Sequence, residues 1–238
     1  MEVRPGIDTV FFDAGNTLVG IDFDRLAEAV ARAGIRASAE ALEQAEVPAR
    51  LVVDRPEHVL ATLDRTRWKV YFRDMLARVG CADETQVEAA FAEIEAAHQA
   101  LNLWQRVAPG TEELLSTLEE RGYRLGVISN ADGRVQSILE RNGLLLHFSA
   151  VIDSHLVGVE KPDPLIFLLG ASALAADPAR CLYIGDIYHV DVVGARSAGM
   201  YPVLIDPAGN HDDKDCLRVA ALADLEGHLP PLGGAGLR

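Results

Sequence analysis

Five short runs of apolar residues recur along the chain, and each is followed by a polar residue or a turn. Runs this continuous, rich in β-branched side chains, are typical of strands that are buried on both faces of a sheet. Amphipathic stretches at helical spacing separate the later runs. Because strand and helix alternate, the pattern predicts an α/β fold with helices on both faces of a parallel sheet. The predicted strands cover residues 7–12, 124–128, 149–152, 181–184 and 202–205.

The middle of the chain follows a different pattern. Residues 19–104 contain no further β-rich run, and their apolar positions recur at helical spacing. Because this block is too long to be a loop, we predict an inserted all-helical domain there and a core that consists of residues 1–18 and 105–238. A stretch rich in proline and glycine, residues 230–238, predicts a flexible tail.

Composition narrows the classes of function. Lys and Arg number 22 and Asp and Glu 36, which gives a formal net charge of −14. An acidic surface repels nucleic acid and anionic lipid, so we expect neither nucleic acid nor a membrane as a partner. The three cysteines lack metal-ligand spacing, and the N-terminus lacks the apolar stretch of a signal peptide. Both features favour a cytoplasmic protein. A monomer and a homodimer are equally compatible with the sequence.

Polar residues close four of the five predicted strands. In open α/β sheets, ligands bind beyond the carboxyl ends of the strands, so we expect at least three of these groups to converge at one site. The closing residues are Asp13, Ser129 with Asn130, Asp186 and Asp206.

The first of these positions is the segment from Asp13 to Thr17, which contains Gly15 and Asn16. A carboxylate fixed at the end of a strand can attack phosphorus as a nucleophile. The backbone N–H groups of the following turn can face an anion. The same residue types also form ordinary turns, so this segment alone does not decide between the two.

Three later elements have chemistry of their own. Ser129 and Asn130 can hold phosphoryl oxygens, although such residues also cap helices. Lys161, fixed by the proline after it, can neutralise a nucleophile and a phosphate together, although loop lysines are also commonly solvated. Asp186 and Asp191 can hold a hard cation through their oxygens.

The order of these elements resembles a known family. Asp13, Ser129, Lys161, and Asp186 with Asp191 occur in the order of the four motifs of the haloacid dehalogenase superfamily. The resemblance covers nearly the whole chain. The helical insertion resembles the mobile cap of the subfamily I members, which closes over the site and selects the substrate. The resemblance implies a Rossmann-like core and a magnesium-dependent phosphohydrolase that acts on a small phosphate ester.

The resemblance also implies a set of metal ligands. Asp13 would be both the nucleophile and a ligand of Mg²⁺. The backbone carbonyl of Gly15 and the carboxylate of Asp186 would be the second and third ligands. Asp191 would lie beside them, either as a ligand through water or as an orienting group.

The remaining implied roles concern the substrate. Ser129 would bind the phosphoryl group that is transferred, with Asn130 and Asn16 beside it. Lys161 would balance the charges of Asp13 and the phosphate. We therefore assign Asp13, Ser129 and Lys161 as the catalytic residues.

The first motif departs from the family pattern. Phosphatases of the superfamily usually read Asp-x-Asp-Gly-Thr, and the second Asp is the general acid/base. Here that position is Gly15, which cannot carry a proton. Such help is typically worth about 10²–10⁴-fold in rate. The sequence therefore leaves three hypotheses open.

In the first hypothesis, the protein is a phosphatase whose proton carrier comes from the insertion, from His189 or from solvent. In the second, it is a phosphonatase-like or other C–X hydrolase. Phosphonatases use a lysine of the cap as a Schiff base, and Lys69 is the lysine of the insertion. In the third, it is a catalytically weakened protein that binds phosphate or a partner.

Overall fold

The computed structural model describes residues 3–61 and 64–232. The chain forms two compact units, which divide after residues 19 and 106. We call the unit that contains both ends of the chain the α/β unit, and residues 20–106 the helical unit. The division predicted from sequence lay after residues 18 and 104. Among the described residues, no helix is long and apolar enough to span a membrane.

The α/β unit is built on a six-stranded sheet. The strands of the described residues are β1 (Thr9–Phe12), β2 (Val19–Ile21), β3 (Trp104–Val107), β4 (Arg124–Ser129), β5 (Ala150–Asp153), β6 (Cys181–Gly185), β7 (Tyr201–Ile205) and β8 (Leu217–Val219). In the large sheet the order is β5-β4-β1-β6-β7-β8, and every neighbouring pair is parallel. The predicted Rossmann-like parallel sheet is therefore confirmed.

Helices cover this sheet and make up most of the helical unit. The helical unit contains α1 (Phe23–Arg32), α2 (Ala39–Val53), α3 (Pro56–Ala61), α4 (Asp64–Arg78) and α5 (Glu84–Ala100). The α/β unit contains α6 (Thr111–Glu120), α7 (Val135–Arg141), α8 (Ser154–Val157), α9 (Pro164–Ala173) and α10 (Val193–Ser197). The side chains of Asp22, Ser38 and Asp83 cap α1, α2 and α5 by accepting a backbone N–H of the first turn.

Glycines let a helix approach the centre of the sheet. Phe11 of β1 is fully buried. A Cβ atom at Gly126 of β4 would lie 2.5 Å from the ring of Phe11, and one at Gly170 of α9 would lie 2.5 Å from Ile128. Side chains at these two positions would push α9 away from the sheet. This close packing matters for the site because α9 begins three residues after Lys161.

The helical unit has aromatic residues in its core and a largely buried ion pair. The ring of Trp68 packs edge to face on the rings of Phe72 and Phe91, at centroid distances of 5.7 and 5.6 Å. Glu46 of α2 accepts two hydrogen bonds from Arg50 (3.0 and 2.6 Å) and one from Tyr71 of α4 (2.6 Å). The hydrogen bond from Tyr71 joins α2 to α4.

One prediction needs correction. The insertion is not all helical, because β2 and β3 form a two-stranded sheet at its two ends. Strands of three and four residues are too short to leave an alternating pattern in the sequence. The flexibility of the tail stays a prediction; in its first residues, Pro230 accepts a hydrogen bond from Tyr123, and Leu232 donates one to Arg121. The rest of that tail, residues 233–238, lies outside the described residues.

Candidate active site

The carboxyl ends of three adjacent strands bring the predicted site residues together. β4, β1 and β6 are parallel neighbours, so Asp13 after β1 lies between Ser129 at the end of β4 and Asp186 after β6. The N–H group of Asp13 donates to the carbonyl of Ile184 in β6 (2.8 Å). One oxygen each of Asp13, Asp186 and Asp191 lies within 4.8 Å of the other two.

The turn after β1 fixes the carboxylate of Asp13. Its Oδ1 accepts a hydrogen bond from the N–H of Ala14 (2.7 Å). The N–H of Asn16 donates to the carbonyl of Val19 (2.7 Å), and Asn16 has a positive φ of 53°. Oγ1 of Thr17 is buried and has no hydrogen-bond partner among the described residues. Buried hydroxyls nearly always have a partner, so a water molecule or a ligand oxygen is expected there.

Lys161 is buried at the centre of the site, where it is only 1% exposed. Its Nζ lies 2.9 Å from Oδ1 of Asp13 and 2.7 Å from Oδ1 of Asp191, and it donates a third hydrogen bond to the hydroxyl of Tyr183 (2.8 Å). Burial alone would lower the pKa of Lys161, but the two carboxylates outweigh it and hold that pKa above its ordinary value. The ammonium group is therefore charged and fully hydrogen bonded.

Asp191 is held through both of its carboxylate oxygens. Its Oδ1 accepts hydrogen bonds from Lys161 and Tyr183, and its Oδ2 accepts from the N–H groups of Asp186 and Ile187 (3.1 and 2.9 Å). A Cβ atom at Gly185 would overlap the carboxyl group of Asp191. Both carboxylate oxygens of Asp191 are therefore held by neighbouring donors. Its role, as a metal ligand through water or as an orienting group, stays a prediction.

The two polar residues at the end of β4 contact different partners. Ser129 is buried, its hydroxyl lies 3.5 Å from the carbonyl of Asn130, and this side chain contributes to lowering the pKa of Asp13. The side chain of Asn130 instead holds the backbone of Lys161: Nδ2 donates to the carbonyl of Lys161 (3.0 Å), and Oδ1 accepts from its N–H (2.7 Å). Asn130 therefore fixes the segment that carries Lys161, and its contact with a substrate stays a prediction.

The loop after Asn130 is held by the neighbouring strand β5. Asp153 accepts hydrogen bonds from the N–H groups of Gly133 (3.1 Å) and Val135 (3.3 Å), and Ser154 accepts one from Ala131 (3.0 Å). We did not predict these contacts, although the signal was present, because Asp153 closes its strand as Asp13 closes β1. They keep the end of β4 in place.

The charges of the site are unbalanced. Three buried carboxylates carry −3 and Lys161 carries +1, so these four residues have a formal charge of −2 when all are ionised. Burial, reinforced by the charge of Asp191, raises the pKa of Asp13 from 3.8 to about 6 despite its ion pair with Lys161. A buried cluster of hard oxygen donors with excess negative charge fits a divalent cation such as Mg²⁺. The donor set therefore suits the predicted metal.

A model of the haloacid dehalogenase-like hydrolases matches residues 7–199. The chain belongs to this family. The resemblance inferred from the order of the motifs is thereby confirmed, and so is the prediction that the protein is a hydrolase. The family assignment rests on a match that includes residues of both units.

This hydrolase is similar to two relatives and to one solved structure. It is 42% identical over 102 residues to haloacid dehalogenase-like hydrolase domain-containing protein 3 of Bos taurus, which covers 43% of this chain and 40% of that protein. It is 30% identical over 200 residues to a glyceraldehyde 3-phosphate phosphatase of Methanopyrus kandleri, which covers 84% of each. A magnesium-bound structure of a putative hydrolase of the superfamily from Bacillus subtilis has a TM-score of 0.66 at 18% identity, over 93% of this chain and 97% of that one, and supports the fold.

Other residues that we considered for this hydrolase lie in different surroundings. Asp206, at the end of β7, accepts hydrogen bonds from the N–H groups of Asn210 and His211 (3.0 Å each) and holds its own loop. The ring of His189 packs edge to face on Tyr188. Its role as a proton carrier stays a prediction.

Lys69 belongs to the helical unit. Its Nζ lies 5.6 Å from the centroid of the Phe91 ring, a cation–π contact on the aromatic core. The Schiff-base role considered for this lysine stays a prediction.

Proposed function

We propose that this hydrolase is a Mg²⁺-dependent phosphatase that acts on a small phosphate ester through an aspartyl-phosphate at Asp13. The observation that carries the proposal is the contact of a buried, oriented carboxylate with both a buried lysine and two further carboxylates. The phosphatase named among the relatives supports the choice of a phosphate ester as substrate. Asp13, Asp186 and the carbonyl of Gly15 would hold the metal, with Asp191 orienting the cluster.

The reaction would proceed in two balanced steps. A carboxylate oxygen of Asp13 attacks phosphorus and forms an acyl phosphate while the bond from phosphorus to the ester oxygen breaks, and the leaving oxygen departs as an anion that takes up a proton from water. Water then attacks the acyl phosphate, which releases inorganic phosphate and restores Asp13. When bound, Mg²⁺ would neutralise charge on the carboxylates and the phosphoryl oxygens.

The residues around Asp13 have distinct tasks in this scheme. Ala14 and Lys161 both contact Oδ1 of Asp13, which fixes the plane of the carboxylate. Lys161 and Ser129 lie beside the nucleophile and would bind the oxygens of the phosphoryl group as charge shifts onto them. Asn16 belongs to the turn whose backbone N–H groups would complete this anion site.

The glycine at position 15 limits the choice of substrate. Without a carboxylic acid there, the leaving oxygen must be protonated by another group or leave as an anion. Esters with good leaving groups depend least on a proton donor. We therefore expect aryl phosphates and acyl phosphates to be hydrolysed faster than simple alkyl phosphates.

The experiment that tests the proposal is phosphate release from p-nitrophenyl phosphate with added Mg²⁺. We expect Asp13→Asn to lower the rate by at least roughly 10³-fold, because it removes the nucleophile, and excess chelator to abolish the activity of the wild type. Asp8→Asn is the matched control, since Asp8 precedes the opposite end of the same strand and pairs with Arg124 and Arg180.

The outcomes separate the hypotheses. Release by the wild type and Asp8→Asn but not by Asp13→Asn supports the proposal. Equal release by Asp13→Asn would contradict it. Full activity in chelator would overturn the metal requirement, and no release by any variant would favour a C–X hydrolase or a binding protein.

A further inference from the structure

The ammonium group of Lys161 has three protons and three acceptors. Two acceptors are carboxylate oxygens, of Asp13 and Asp191, and the third is the hydroxyl of Tyr183 at 2.8 Å. A buried charge that attracts two carboxylates can shift toward either of them. The third contact fixes the position of Nζ between the two, because it comes from a different direction and from a neutral group.

Tyr183 lies in the middle of β6 and is fully buried. A buried hydroxyl is costly unless it is hydrogen bonded, so packing alone would favour phenylalanine there. The hydroxyl of Tyr183 accepts a hydrogen bond from Lys161. Its single proton can be donated to the carbonyl of Ile128, at 2.9 Å, or to Oδ1 of Asp191, at 3.1 Å. Every polar contact of this hydroxyl is therefore made within the site.

The ring of Tyr183 is held as firmly as its hydroxyl. It packs edge to face on Phe167 of α9, with centroids 4.9 Å apart. The hydroxyl also reaches β4, because Ile128 precedes Ser129. One side chain thus connects the lysine, the orienting aspartate and the strand that carries the serine.

We propose that Tyr183 is a positioning residue that holds the ammonium group of Lys161 between Asp13 and Asp191. This inference rests on the proposed function, in which Lys161 stabilises the phosphoryl group during its transfer to Asp13. Without the hydroxyl, Lys161 remains charged and paired with both carboxylates, so it still attracts phosphate. It loses the alignment that matters when charge develops on the phosphoryl oxygens.

The kinetic test compares Tyr183→Phe with Tyr123→Phe on an aryl phosphate. Tyr123 is the matched control. It lies just before the amino end of β4, it is also buried, and its hydroxyl donates a hydrogen bond to the carbonyl of Pro230. We expect Tyr183→Phe to lower kcat by roughly 10-fold, the usual scale for one hydrogen bond to a charged group, with KM changed by less than about 3-fold. We expect Tyr123→Phe to keep kcat. Equal kcat in wild type and Tyr183→Phe would overturn the inference.

A second measurement does not depend on activity. The chain has only three lysines, Lys69, Lys161 and Lys214. In metal-free protein labelled with ¹⁵N-lysine, the buried ammonium of Lys161 should give a slowly exchanging ¹H–¹⁵N signal with a through-space contact to the ring protons of Tyr183. Lys69→Arg and Lys214→Arg assign the signal. We expect Tyr183→Phe to shift it and speed its exchange, and Tyr123→Phe to leave it unchanged.

These two readouts distinguish the failures. A wild type without phosphatase activity but with the expected lysine signal would refute the proposed function and keep the contact. A wild type that hydrolyses the ester but shows no protected signal, or no contact with the Tyr183 ring, would refute the positioning role. The wild-type spectrum decides this point even if Tyr183→Phe fails to fold.

Discussion

The two units of the chain each bury carboxylates, but in opposite electrostatic settings. In the helical unit, Glu46 accepts two hydrogen bonds from the guanidinium of Arg50 and one from Tyr71. In the α/β unit, the carboxylates of Asp13, Asp186 and Asp191 lie together, and Lys161 supplies a single positive charge. The charge of Glu46 is balanced by Arg50, one helical turn away. The three aspartates have one positive charge among them, so their charge is not balanced.

This difference separates a structural ion pair from a functional one. Glu46 meets the guanidinium of Arg50 on its own helix, and the hydrogen bond from Tyr71 connects this ion pair to α4. Three carboxylates around one ammonium repel each other, and that cost is retained in a fold only where another charge binds. The pKa of Asp13 rises to about 6 mainly because the carboxyl group is buried, and the negative charge of Asp191 adds to the rise. Charge balance, more than burial, therefore distinguishes the two clusters.

The largest expected effect comes from breaking the balanced cluster. Glu46→Gln removes the carboxylate that pairs with the largely buried guanidinium of Arg50, and we expect it to lower the free energy of unfolding by about 2–4 kcal/mol. Urea denaturation followed by tryptophan fluorescence measures this, because both tryptophans, Trp68 and Trp104, lie in the helical unit.

The control for this change is an exposed acid on the same helix. Glu43 pairs with Arg106, and both side chains are more than half exposed. Glu43→Gln should change the free energy of unfolding by no more than about 0.5 kcal/mol, as is usual for surface pairs. An equally small effect of Glu46→Gln would mean that the buried pair is not a structural support.

In the unbalanced cluster, removing a carboxylate should raise the free energy of unfolding rather than lower it. In metal-free protein, the raised pKa of Asp13 contributes stability that is complete below pH 3.8 and is lost as the pH rises through about 6. Asp13→Asn removes that loss, so we expect it to raise the free energy of unfolding by about 1–3 kcal/mol at pH 8 and by less at pH 5. Urea denaturation in chelator, followed by circular dichroism, tests this.

Asp206 provides the contrast, because it also follows a strand of the same sheet. Burial would raise its pKa, but hydrogen bonds from the N–H groups of Asn210 and His211 outweigh burial and hold that pKa below its ordinary value. Its stabilisation is therefore present at neutral pH and lost on acidification. Asp206→Asn should lower stability at pH 8. If Asp13→Asn lowers it as well, the site is not electrostatically strained.

The smallest expected effect comes from adding a fourth acid to the unbalanced cluster. Gly15→Asp introduces a carboxyl group at the position of the missing general acid/base. The positive φ of this turn falls on Asn16. We expect turnover of an alkyl phosphate to rise roughly 10-fold, which is below the full range for a well-placed acid. Gly15→Asn is the control of similar size. An equal gain in both variants would show that proton transfer is not the cause.

The sequence predicted which residues meet at the strand ends better than it predicted the contacts that hold them there. Asp13, Ser129 and Asp186 end or follow buried strands, and the parallel order of β4, β1 and β6 then brings them together. Lys161 and Asp191 were placed beside them by the order of the family motifs. The apolar pattern also identified the five longer strands of the sheet, while β8, with three residues, left no signal of its own.

The supporting contacts could not be read from the pattern. Tyr183 lies in an apolar run, where its ring is the obvious feature and its hydroxyl has no visible partner. The contact of the Asn130 side chain with the backbone of Lys161 was not predicted, because it depends on how the loop that carries the lysine passes beside β4. The expected contact of Asn130 with phosphate stays a prediction. Such contacts join residues 31 to 55 positions apart and depend on the packed sheet.

Gly185 shows how such packing constrains a position that has no functional group. The carboxyl group of Asp191 occupies the space where a side chain at residue 185 would begin. Even alanine there would displace Asp191 and, through it, Lys161. In a library of all single substitutions selected for catalysis, Gly185 would be as intolerant as the nucleophile itself. Its tolerance to mutation is set by the side chain of a residue six positions later.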